Sequence, residues 1–159
     1  MRAVALDLDG VLGDTRPLWE DWLEDASRRF RSIAPLEPDR VPCDRGEAAA
    51  FLDSWAERGV GDWRAALARF AEDRAPVYLR PDAEVSAALR SLAAAGLRVG
   101  IFTDAPEPLA RVALAQLGAA RRIDALETGG GALERLRETL GPDTEVIRDR
   151  QALHLQLAR

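Results

Sequence analysis

The sequence predicts an α/β protein: a parallel sheet flanked by helices, with an all-helical segment inserted after the first strand. Three observations carry this. Residues 1–14 and about 80–159 alternate short apolar runs with amphipathic stretches, the pattern of parallel strands joined by crossover helices. Residues 15–79 show helical periodicity and no strand pattern. The first apolar run breaks off at two closely spaced acids, Asp7 and Asp9. Open parallel sheets bind ligands at that end of their strands.

Taken in order, AVALDL (residues 3–8) reads as a short buried strand, nearly continuous in apolar character. Gly10 and Gly13 mark the turn that follows. From Pro17, Leu18, Trp22 and Ala26 recur at helical spacing, and Trp19 and Leu23 widen the stripe. IAPLEPDRVPCDRG (33–46), with its three prolines, reads as a loop. Ala49, Leu52, Trp55 and Ala56 give a second helix ending at Gly59, and Gly61-Asp62 opens a third with Trp63, Ala66, Leu67 and Phe70 on one face.

Asp82 caps a helix carrying Val85, Leu89 and Leu92, which ends at Gly96. RVGIFT (98–103) is a strand, and Pro106 and Pro108 start a helix that runs to about Leu117. IDALE (123–127) is the third strand; a glycine loop and a helix with Leu133, Leu136 and Leu140 follow. TEVIRD (144–149) is the fourth strand and QALHLQLAR the last helix. A core domain over 1–14 and 80–159, with a helical cap over 15–79, is therefore expected.

Composition narrows the function classes. The net charge of −5 argues against nucleic acid as the main partner, because phosphate-backbone binding wants a basic surface. No apolar stretch is long enough to span a bilayer, and Asp7 interrupts the N-terminal apolar run too early for a secretory signal. The single cysteine, Cys43, allows no internal disulfide, so a cytoplasmic setting is expected. All 22 basic residues are arginine; there is no lysine. The four tryptophans, all in the insert, read as its core, and His154 as an ordinary helix residue.

The chemistry gathers at strand ends. Asp7 and Asp9 flank Leu8 where the chain leaves the first strand. One such carboxylate can attack phosphorus while the other hands a proton to the leaving group. Two carboxylates this close repel unless a cation screens them, and a hard divalent ion such as magnesium suits oxygen ligands. Thr103 ends the second strand beside a helix start, where a hydroxyl can donate to a phosphate oxygen.

These residues resemble a known family. ALDLDGVLGDT (5–15) resembles the first motif of the haloacid dehalogenase-like (HAD) superfamily, and GIFTDA (100–105) its second. The stretch from Tyr78 to Ala105 is similar to the region before the second motif in phosphoglycolate phosphatase-like members. The insert is similar to their helical caps, though short. The resemblance implies a Rossmann-like parallel sheet, shortened at the C-terminus, and magnesium-dependent phosphoryl transfer. It makes Asp7 the phosphorylated nucleophile and a metal ligand, and Asp9 the acid/base whose carbonyl also faces the metal. It places Thr103, Asp104 and Gly10 at the substrate phosphate and Asp149 as a further magnesium ligand. The acid at the second position argues for phosphatases rather than dehalogenases.

Two departures stand out. The family's third motif supplies a lysine, but Glu127–Ala132 (ETGGGA) contains no cation. The fourth motif carries a second acid four positions after its first, where this chain has Leu153. Arg121, Arg122, Arg135 and Arg148 are the candidate replacements for the lysine. The expected function is a magnesium-dependent phosphomonoester hydrolase acting on a small phosphorylated metabolite. The alternative is an impaired relative that binds a phosphorylated ligand or a protein partner.

Overall fold

The computed structural model describes residues 2–159. Four parallel strands form the sheet: β1 (Ala3–Asp7), β2 (Arg98–Thr103), β3 (Ala125–Thr128) and β4 (Glu145–Ile147), in the order β3-β2-β1-β4. Among the described residues seven α-helices surround it: α1 (Arg16–Arg29), α2 (Arg45–Ala56), α3 (Trp63–Tyr78), α4 (Ala83–Ala94), α5 (Glu107–Gln116), α6 (Ala132–Leu140) and α7 (Arg150–Leu157). The α/β architecture with helices inserted after the first strand is as the sequence predicts.

β1 is the central strand, buried on both faces, which explains its unbroken apolar run. Val4 and Leu6 join the large core that also holds Val85, Leu89 and Leu153. Ala3 and Ala5 face the other way, onto Leu136 and Leu140 of α6. That side is thin because the strands there carry small residues. A side chain at Gly100 would place its Cβ 2.7 Å from the methyl groups of Leu136 and Leu140, so α6 lies almost directly on the β2 backbone.

The register fixes where the strand ends meet. Leu6 pairs with Ile147 of β4 and Asp7 with Phe102 of β2. Asp7, Thr103 and Asp149 therefore emerge on the same edge of the sheet. Arg121 and Arg122 precede β3 and lie at the opposite edge.

The tryptophans are core residues, as expected. Trp22 stands between Trp19 and Trp63, with ring centroids 5.5 and 5.8 Å away, and Trp55 meets Phe30 edge-on at 5.6 Å. They belong to the same hydrophobic core as β1, so the insert is packed onto the sheet domain rather than tethered to it. α3 also packs along α5. Among the described residues no helix is long and apolar enough to cross a membrane.

Two boundaries differ from the sequence reading in ways that matter. β1 stops at Asp7, and Leu8–Leu12 form a single π-helical turn. The segment 33–46, read as loop because of its prolines, already contains the first residues of α2. Asp44 caps that helix, its carboxylate accepting from the Glu47 N–H at 2.9 Å.

Candidate active site

Asp7 sits at the C-terminal end of β1, with its side chain about one-quarter exposed. Its Oδ1 accepts a long hydrogen bond, 3.3 Å, from the Asp9 N–H. Burial first, and then the negative charge of Asp9, push its carboxyl above the ordinary value; the Asp9 N–H, Arg148 and Arg16 oppose this only in part. The π-helical turn after Asp7 swings Asp9 inward, and such turns recur at functional sites. Its tight path requires Gly10: a Cβ there would fall 1.8 Å from the Arg148 carbonyl oxygen. Gly10 thus lets the turn rest directly on the β4–α7 connection.

Asp9 is far more enclosed, its side chain 2 % exposed. Oδ1 accepts from the Thr15 N–H at 2.8 Å and from the Thr15 hydroxyl at 2.6 Å. Oδ2 accepts from the Arg45 guanidinium and, at 3.3 Å, from the Thr103 hydroxyl. Thr103 in turn accepts from the Ala105 N–H at 3.2 Å, which orients its hydroxyl at the end of β2. Asp7, Asp9 and Thr103 thus lie where the strand-end pattern put them.

The residue that sequence reasoning missed is Arg45. It is the first residue of α2, in the insert, yet it is 2 % exposed and buried in the site. Its Nη1 donates to the Thr15 hydroxyl at 2.6 Å and its Nη2 to Asp9. Nη2 and Nε also donate to Asp104 Oδ1, at 2.9 and 3.2 Å, and the Arg45 backbone N–H donates to Asp104 Oδ2 at 3.0 Å. Burial works against the charge on Arg45, but Asp9 and Asp104 outweigh it and hold the guanidinium more firmly protonated than usual. Burial likewise pushes Asp104 up, and its bonds from Arg45 overcome that, holding it below the usual carboxylate range. The Asp104 side chain is therefore the seat of Arg45, and only its main chain is left as a donor toward a phosphate.

A close backbone contact allows Arg45 to reach so far. A Cβ on the next residue, Gly46, would lie 2.6 Å from the Gly130 nitrogen. The start of α2 therefore rests on the Glu127–Ala132 loop that lacks a cation. The signal in the sequence was Asp44 with Glu47 three residues on, a helix-start pattern that the prolines masked.

The other arginine candidates separate. Arg148 Nη1 lies 3.8 Å from Asp7 Oδ2, and its guanidinium sits 5.4 Å from the centre of the Phe102 ring. It is the cation nearest the Asp7 carboxylate among the ion pairs of the described residues. Arg135 instead ties down its own loop, donating to the Thr128 and Gly130 carbonyls and to Glu127. Arg121 and Arg122 are exposed at the far edge of the sheet. Arg16, with its charge felt at both Asp7 and Asp104, is a further cation that the sequence did not single out.

Asp149 closes the strand beside β1, but its Oδ1 caps α7, accepting from the Ala152 N–H at 2.7 Å. Among the described residues no three His, Cys, Asp or Glu side chains gather tightly enough for a cage. The donor set fits magnesium nonetheless, since that ion uses one or two carboxylates and keeps waters. The Asp7 carboxylate, raised by burial and by Asp9, is under-neutralised in the way a bound cation would relieve.

Comparison with known proteins agrees with the fold. A phosphoglycolate phosphatase from Rhodospirillum rubrum is 35% identical over 135 residues, covering 77% of this chain and 56% of that protein. The chain thus spans about half the length of the curated relative it matches. Among solved structures, CbbY from Rhodobacter sphaeroides in complex with phosphate superimposes with a TM-score of 0.63 at 17% identity, covering 93% of this chain and 76% of that one. A predicted phosphoglycolate phosphatase from Haemophilus somnus gives 0.52 at 16% identity, covering 98% and 81%. These distant likenesses speak for the fold. The family model of haloacid dehalogenase-like hydrolases matches residues 1–146, and the chain belongs to that family.

Proposed function

We propose that this chain is a magnesium-dependent phosphomonoester hydrolase that works through an aspartyl-phosphate on Asp7, with a small cytoplasmic phosphorylated metabolite as substrate. The observation that carries the reading is the convergence of Asp7, Asp9 and Thr103 at adjoining strand ends, with Asp9 hydrogen-bonded to Thr103. The R. rubrum relative, by its name a phosphatase, supports the same chemistry.

In the first step an Asp7 oxygen attacks phosphorus, the ester P–O bond breaks, and the leaving alkoxide takes a proton from Asp9. In the second step water attacks the same phosphorus and gives its proton to Asp9. The P–O bond to Asp7 then breaks and inorganic phosphate leaves, with the proton that Asp9 gave in the first step restored to it. The main chain at Gly10 and Asp104 holds the phosphoryl oxygens, joined by the Thr103 hydroxyl once it turns its one hydrogen from Asp9 to the phosphoryl group. Asp7, the Asp9 carbonyl and the remaining oxygen of Asp149 would hold magnesium, which neutralises charge on the transferring group. Arg148 stands in for the lysine beside Asp7.

The loop 127–132, without a cation of its own, favours the second reading, a phosphate-ester binding protein with little turnover. Phosphate release from a panel of phosphomonoesters, with and without magnesium, separates the two. Hydrolysis that requires magnesium and vanishes in Asp7→Asn, with the fold intact by circular dichroism, is the expected result. A wild-type protein that binds such esters but releases no phosphate would establish the second reading.

A further inference from the structure

The turn that carries Asp9 and Gly10 does not hold itself. Leu8–Leu12 is a single π-helical turn, closed at its end by the Gly13 N–H, which donates to the Leu8 carbonyl at 3.1 Å. One isolated helical turn fixes several dihedrals in return for few hydrogen bonds and is unfavourable alone. The carbonyls at the end of such a turn find no partner within it.

Arg150 satisfies them from outside. It is the first residue of α7, with its side chain nearly half exposed. Its Nε donates to the Val11 carbonyl at 3.0 Å and its Nη2 to the Leu12 carbonyl at 3.5 Å. Its Nη1 donates to Asp82 Oδ2 at 3.1 Å. Asp82 is itself held, because Oδ1 accepts from the Glu84 and Val85 N–H groups at the start of α4. The side chains of Val11 and Leu12 are buried in the core, so packing fixes the inner side of the turn and the guanidinium its carbonyls. A planar fork can serve two carbonyls and a carboxylate together, which a single ammonium point charge does poorly. The Arg148 carbonyl, lying against Gly10, is the other outside support.

None of these bonds reaches a reacting atom. Resting on the phosphatase reading, we propose that Arg150 is a positioning residue for the π-helical turn. It keeps the Asp9 carboxylate where it meets the leaving group, and the Gly10 main chain where it meets the phosphoryl oxygens. Misplacing either group by about 1 Å costs about a hundredfold in rate.

The test uses Arg150→Met, which keeps length and volume but removes the donors, and Arg150→Lys, which keeps the charge. Asp62→Ala, which removes the cap of α3 far from the turn, is the control for lost stability alone. Two esters are compared with magnesium present: ethyl phosphate, whose leaving group needs a proton, and p-nitrophenyl phosphate, whose leaving group does not. In Arg150→Met, kcat/KM for ethyl phosphate should fall about a hundredfold, and about tenfold or more further than for p-nitrophenyl phosphate. Arg150→Lys should show the same pattern more mildly, and Asp62→Ala no change in the ratio. Equal losses for the two esters, or none, in the arginine variants would overturn the proposal. Amide hydrogen exchange reads the turn without turnover. The Gly13 N–H closes it, and the Thr15 N–H donates to Asp9 Oδ1. Both should exchange about tenfold or more faster in Arg150→Met, and at the wild-type rate in Asp62→Ala. That result with a wild type inactive on both esters would keep the positioning role and discard the hydrolase; unchanged exchange would discard the positioning role. Should Arg150→Met not fold, Arg150→Lys is read in the same two ways, and wild-type values in it count against the proposal.

Discussion

At the scale of single residues, Asp7 holds a charge that folding disfavours. Burial, then Asp9, raises its carboxyl above the ordinary 3.8. A raised carboxyl means that the folded chain keeps a proton which the unfolded chain has released, so stability falls as pH rises from 3.8 through the raised value. Asp7→Asn should therefore melt at a higher temperature than wild type at neutral pH in the absence of metal, and the gain should vanish below about pH 4. Calorimetric melting across that range checks it. Arg148 faces the same carboxylate from a largely exposed position, so its effect is screened by solvent and salt. Arg148→Ala should lower kcat by about tenfold to a hundredfold. The Arg121→Ala/Arg122→Ala double variant should turn over like wild type, because those side chains are at the other edge of the sheet. Steady-state kinetics at two salt concentrations would show both effects.

At the scale of elements, the start of α2 decides whether the site has its buried cation. Asp44 caps that helix and Glu47 follows at the third position. Asp44→Ala should cost about 1 kcal/mol of stability, read as a lower urea midpoint with unchanged slope, and should disturb the site more than its surface position suggests. This region also shows what the sequence could and could not convey. The strand ends were legible because a buried apolar run seldom stops at a polar side chain such as Asp7 or Thr103 without a use for it. The cations were only half legible. Arg148 was within view because it adjoins Asp149 just past the end of the strand next to β1. Arg45 was not, because it lies 36 residues from Asp9 and its partners come from three separate segments. Periodicity reports which face of an element is buried, and it is silent on which helix end will meet which strand end. The prolines at 35, 38 and 42 added a local signal that pointed the wrong way. The π-helical turn was equally hidden, since nothing in LDGVL distinguishes it from a simple turn.

At the scale of the whole molecule, the insert and the sheet share one apolar interior. Leu18, Trp22 and Leu67 belong to the same buried cluster as Val4, Leu6 and Ile101. Arg45 and Asp9 add a buried ionic tie across the same junction, extended to the partly exposed Asp104, and removing one member of the buried pair strands the other. Unfolding should accordingly be a single calorimetric transition, with van't Hoff and calorimetric enthalpies in agreement. Two resolved transitions would mean that insert and sheet unfold separately, and that the shared core is weaker than its burial implies. The grouping of Trp19, Trp22 and Trp63 gives this architecture an optical side. Every tryptophan in the chain lies in the insert, and Trp19 borders the cavity next to Arg45. Intrinsic emission therefore originates wholly above the site, with no background from the sheet. A ligand that enters this cavity would change the polarity at Trp19, one of three clustered indoles, so the native fluorophores would time its arrival without any label.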